Sequence, residues 1–179
     1  MKNKIIKVFL FVFVISSLIS LLVIFNVVKL EKVATIEVVD LNENTVLVSF
    51  EIREGEEFSR SYFHSLCREV VTEYFTINAR YELVLTKIRC FSYDVVDYYS
   101  FPSGSVVLEN DEIWVIDINM VIGRKLILLV SKDSQNTLNF DNETLPLYLV
   151  VENGTPVLIK VKKMKNETPD VTLVVGGEN

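Results

Sequence analysis

Hydrophobic and polar positions change rhythm several times along this 179-residue chain. From Val8 to Val28 there is no rhythm: 21 consecutive uncharged residues, mostly Val, Ile, Leu and Phe, follow Lys2, Lys4 and Lys7 and precede Lys29. As a helix this run would rise about 31 Å, close to a hydrocarbon core of about 30 Å. The run is longer than a leader peptide's apolar stretch and ends without an Ala-x-Ala step, so it predicts a retained signal anchor. Three lysines ahead of it predict a cytoplasmic Met1 and an extracytoplasmic remainder. The expected organisation is a cytoplasmic stub and transmembrane anchor over 1–32, an extracytoplasmic domain over 33–175 and a tail over 176–179.

Past the anchor the period drops to two. Val33 to Leu41 reads as a strand. After Asn42-Glu43-Asn44, Val46, Val48, Phe50 and Ile52 alternate with Leu47, Ser49, Glu51 and Arg53, which predicts a half-buried strand and a hairpin. From Glu57 to Thr76 the spacing becomes four: Phe58, Tyr62, Leu66, Val70 and Tyr74 form one row, and Phe63, Cys67, Val71 and Phe75 the next. With acidic residues at its start, this stretch predicts an amphipathic helix. Strands are then expected at Tyr81–Phe91, Val106–Glu109, Ile113–Ile122, Leu126–Val130, Tyr148–Val151, Val157–Val161 and Val171–Val175. Leu126–Val130 is apolar on both faces and reads as central, whereas 132–145 reads as a polar loop. The fold class expected from this pattern is α+β: an N-terminal transmembrane helix, then a mainly antiparallel β domain with one amphipathic helix packed on the sheet.

Charge narrows the partners. Residues 33–179 hold 13 basic and 23 acidic side chains, a net of −10. Such a domain is repelled by phosphate backbones, which argues against nucleic acid. The expected partners are the membrane, through Val8–Val28, and another envelope protein.

Candidate chemistry is sparse. Arg60, His64 and Arg68 would line one stripe of the predicted helix as a ligand or anion site, unless they are simply a solvated face. Cys67 and Cys90 form a candidate disulfide; free buried thiols, or zinc held with His64, are the alternatives. The segment 91–104 gathers aromatics around Asp94 and Asp97, and Tyr93, Tyr98, Tyr99 and Phe101 are interface candidates, since tyrosines bury area at low entropy cost. Asn142, Asn153 and Asn166 each begin an N-x-T sequon and are glycosylation candidates. No cofactor or metal motif, phosphate loop or nucleophile motif is present, so no catalytic residue is assigned. The expected function is a protein-interaction or structural module of an envelope or surface assembly, with a domain sensing a small ligand or ion as the alternative.

Overall fold

A computed structural model describes residues 32–164, together with Phe13 and residues 15–17. The chain divides into two units after Glu31. Twelve strands and two short helices lie among the described residues of the second unit. The first two strands, β1 (Val33–Asp40) and β2 (Thr45–Arg53), form the expected hairpin. Asp40 closes its turn: the Oδ1 atom accepts from the backbone N–H groups of Asn42 at 2.8 Å and Glu43 at 3.1 Å, an Asx turn.

The chain then departs from the expected helix. Residues 57–76 hold two strands, β3 (Phe58–His64) and β4 (Glu69–Ile77), paired antiparallel from Phe58↔Phe75 to His64↔Glu69. A spacing of four is also a multiple of two, so Phe58 and Tyr62 share a strand face as readily as a helix face. The residue types favour the strand most clearly over β4, where Val, Thr, Tyr, Phe and Ile fill seven of nine positions. The connecting turn, 65–68, contains no Gly, Pro, Asn or Asp. Instead, Arg68 takes a positive φ of 58°, its N–H donates to the His64 carbonyl at 2.7 Å, and His64 Nδ1 accepts from the Cys67 N–H at 3.2 Å.

The remaining elements are β5 (Leu83–Cys90), α1 (Tyr93–Tyr99), β6 (Ser105–Glu109), β7 (Glu112–Ile116), β8 (Met120–Gly123), β9 (Lys125–Leu129), β10 (Thr137–Phe140), β11 (Glu143–Pro146), α2 (Leu147–Val150) and β12 (Pro156–Lys163). The smaller sheet has the order β2-β1-β12-β9, and the larger β11-β10-β3-β4-β5-β7-β6, with β8 also paired to β5. Every pairing is antiparallel. The fold class is therefore mostly β, not α+β.

Several local expectations change with it. The predicted strand 113–122 breaks at Asp117 and Asn119, both at positive φ, and its halves β7 and β8 follow β5 one after the other. Asp and Asn are among the residues that tolerate this conformation. Leu126–Val130 is not central: β9 is an edge strand, and Ile127 and Leu129 are exposed. The polar loop contains a β10–β11 hairpin, turned by Asp141 and Asn142 with φ of 44° and 64°, the left-handed pair of a two-residue type I′ turn. Tyr148–Val151, read as a strand, lies in and just after the single helical turn α2. The strand expected at 171–175 lies outside the described residues.

The transmembrane signal anchor is also removed from the fold assignment. No helix among the described residues is long and apolar enough to cross a membrane. The Val8–Val28 run lies outside the described residues except for Phe13 and residues 15–17, which are helical.

One apolar core joins the two sheets. Phe50 of β2 stacks on Phe140 of β10 with centroids 4.1 Å apart and meets Phe58 of β3 edge-on at 5.8 Å, while Phe58 stacks on Phe75 of β4 at 5.4 Å. At the far edge, Gly104 enters β6 at a φ of 127°, and a Cβ there would lie 3.0 Å from the Ile116 carbonyl oxygen and 3.2 Å from Val115 Cγ1. Gly104→Ala is expected to lower stability by about 1 kcal/mol or more, read as a lower urea midpoint at unchanged slope.

Candidate functional site

Cross-strand partners share a sheet face, so the register defines what the larger sheet shows on its outer side. One row runs Ser61–Thr72–Arg89–Trp114–Val107 through β3, β4, β5, β7 and β6. On one side of it lies Tyr74 opposite Lys87; on the other, Phe63 opposite Val70. Phe91 extends the apolar end just past β5, where its N–H donates to Glu69 Oε2 at 2.8 Å. Phe63, Val70 and Phe91 are all exposed, as is Leu66 in the adjoining turn, at 74 % accessibility.

Beside this apolar end the face is aromatic and cationic. Tyr74 and Trp114 approach to 5.6 Å between centroids. The Lys87 ammonium lies 4.8 Å from the Tyr74 ring centre, and the Arg89 guanidinium 6.0 Å from that of Trp114. Carboxylates hold both cations in place: Lys87 meets Glu57 at 2.8 Å and Arg89 meets Glu112 at 3.1 Å. These pairs, half-buried and still in contact with water, add modest stability. Their effect is to present Trp, Tyr and Arg side chains in a defined arrangement.

The inner side of the same strands carries a buried polar cluster. Arg60 Nη2 meets Glu73 Oε2 at 2.9 Å, and both side chains are largely buried. Glu73 Oε1 lies 3.0 Å from the Tyr99 hydroxyl and 3.3 Å from that of Tyr62, and the two hydroxyls also lie within hydrogen-bond reach of one another, so two phenolic protons are shared among three oxygens. The guanidinium lies 4.4 Å from the Tyr62 ring centre, while the buried Arg60 Nε has no hydrogen-bond partner among the described residues. Burial pushes the Glu73 carboxyl above the usual carboxylate range, against the opposing pull of Arg60. It pushes the Tyr99 phenol up as well.

The sequence candidates fall into two groups on this framework. Arg60 and His64 lie on the inner face of β3, next to Tyr98 and Tyr99 of α1; the His64 and Tyr98 rings meet edge-on at 4.7 Å. Arg60 is engaged with Glu73, His64 holds the hairpin turn, and Arg68 occupies the left-handed position of that turn. Tyr93 and Tyr98 are exposed, while Tyr99 is half-buried and stacked on Phe101 at 5.0 Å. Cys67 and Cys90 are free thiols; burial, with Glu69 nearby, pushes Cys90 up to about 11, far from the low values of reactive thiolates.

Of the sequons, Asn142 stands exposed in the β10–β11 turn. Asn153 instead uses Oδ1 to accept from the Lys132 N–H at 2.9 Å, and its partner Thr155 is buried. Asn166 lies outside the described residues. Among the described residues, no three His, Cys, Asp or Glu side chains are placed to hold a metal ion. A cleft of about 550 Å³ opens between Tyr74, Ser59, Asn139 and Glu143 at the margin of the outer face.

The outer face itself was not anticipated from the sequence. Phe63, Val70, Tyr74 and Trp114 were each visible as apolar positions, but their assembly depends on strand register. No family model matches this chain, and no match was found among curated proteins or solved structures.

Proposed function

We propose that this domain is a protein-binding module, and that its binding surface is the outer face of the larger sheet from Phe63, Val70 and Phe91 to Trp114. The observation that carries this reading is the exposed pair Phe63–Val70, with exposed Phe91 just past the end of β5, on the sheet that also presents Arg89 and Trp114 as cross-strand partners. Interface centres are enriched in those residue types, and a clustered apolar patch differs from scattered exposed residues because water must be displaced from it as a unit. Arg60 and His64 support this reading over a ligand sensor, because both make their contacts within the domain.

The test is photo-crosslinking in intact cells from a reactive residue placed at Phe91, with Ser49 on the smaller sheet as the control position. A discrete adduct from Phe91 but not Ser49 is expected. Recovery of monomer alone would sink the proposal. With a recovered partner, Trp114→Ala is expected to weaken binding by about 2 kcal/mol or more, measured by titration calorimetry.

A further inference from the structure

The edge of the larger sheet beside this face has three properties that rarely coincide. All five residues of β6 are exposed, including Val106, Val107 and Leu108, the last at 65 % accessibility. One side of the strand pairs with β7 in unbroken register from Ser105↔Ile116 to Glu109↔Glu112, and among the described residues no strand pairs with the other. Natural sheets usually blunt such an edge with lysine, proline or a bulge; β6 has none of them.

Next to the strand lies a cavity of about 440 Å³, lined by Val96, Phe101, Gly104, Val106 and Val115, with Asp97 among its polar groups. Its size suits a single apolar side chain and the backbone that carries it. Asp97 is the one charged residue of its lining, and the chain segment that builds this edge carries one sign of charge. Residues 91–123, which hold α1 and β6 to β8, contain Asp94, Asp97, Glu109, Asp111, Glu112 and Asp117 and no lysine or arginine. Arg89 pairs with Glu112 from outside this stretch.

We propose that β6 accepts an extended, basic segment of a partner protein as an added strand. The backbone ladder supplies affinity and alternate side chains supply selectivity. An apolar residue of the segment enters the cavity beside Val106 and Phe101, and its flanking Lys or Arg residues face Asp97, Glu109 and Asp111. This rests on the protein-binding reading and specifies its mode; β6 joins the outer face through Val107, the cross-strand partner of Trp114.

The chain has a single tryptophan, Trp114, one strand in from the edge, so its emission reports on β6. The probe is a synthetic peptide of alternating lysine and valine, titrated into the full 179-residue chain. Its controls are the glutamate counterpart and two versions N-methylated on alternate residues. The basic peptide is expected to give a saturable change in Trp114 emission and slower amide exchange over 105–109. The acidic peptide and one methylated version are expected to bind about tenfold more weakly or worse. V106K/L108K, altered only at exposed positions, is expected to lose the response at an unchanged unfolding midpoint. Equal binding by both methylated versions, or unchanged exchange over 105–109, overturns strand addition. A Phe91 crosslink that survives V106K/L108K overturns strand addition alone, whereas monomer recovered from every labelled position overturns the protein-binding reading itself.

Discussion

Phe75→Ala should destabilise the domain by about 3–5 kcal/mol, which for a domain of this size shifts the thermal midpoint by more than about 6 °C. The ring is only 2 % exposed. It stacks on Phe58, which meets Phe50 from the other sheet, which in turn stacks on Phe140. Its removal therefore opens a cavity where the two sheets are joined, and rings held in a chain of contacts cannot all move to fill it. Phe75→Leu should cost much less, because most of the volume is retained. Chemical denaturation of the two variants under one set of conditions checks this. Similar losses for both would mean that the stack is not the seam between the sheets.

Arg60→Met should be comparably damaging, for an electrostatic reason. The substitution leaves Glu73 buried with two phenols and no cation, and breaking a buried pair from one side costs about 3–5 kcal/mol. Replacing both members, as Arg60→Met with Glu73→Leu, should recover most of the loss, because a matched apolar pair carries no desolvated charge. The pH dependence separates this cause from simple loss of packing. Burial holds the folded Glu73 carboxyl above the 4.5 of the free side chain, while Arg60 opposes the shift. A folded value above the unfolded one contributes stability that is present below the unfolded value and lost as pH rises through the folded one. Without Arg60 the folded value rises further, so the deficit of Arg60→Met should be smaller at about pH 5 than at about pH 8. Glu37 works in the other direction. Lys162 and Lys160 lower its carboxyl below 4.5, so its contribution is lost only as pH falls through that lowered value. An equal deficit at both pH values would show that packing, not the unpaired carboxylate, is responsible.

Much of the β framework was legible in the residue pattern. Val46, Val48, Phe50 and Ile52 alternate over β2, Asn42-Glu43-Asn44 marks its hairpin, and Val157–Val161 lies within β12. The β12 signal was readable because one face of that strand is buried, and the β2 signal because Phe50 and Ile52 turn toward the core, whereas Val46 lies beyond a register shift and is exposed. The β3–β4 hairpin was not legible for two reasons. Its apolar residues recur at a spacing shared by helix and strand, and its turn is made by His64 and Arg68 in place of Gly, Pro, Asn or Asp. Four-residue β10 and β11 were not legible because they are short: β10 buries only Leu138 and Phe140, too few alternations to show a period, and β11 is an edge strand with little burial to impose one.

By itself, the sequence determined that strands would dominate most of residues 33–161, that the domain would be acidic, and that several aromatics would gather between residues 91 and 104. Composition and period are local properties, and each follows from neighbours a few positions apart. Only the tertiary structure decided that Arg60 meets Glu73 and that His64 closes a turn. It also placed Phe63, Val70 and Trp114 on one sheet face, beside an edge strand that pairs on one side only among the described residues. Those arrangements depend on the pairing of distant strands, and pairing is set by the burial of the whole core.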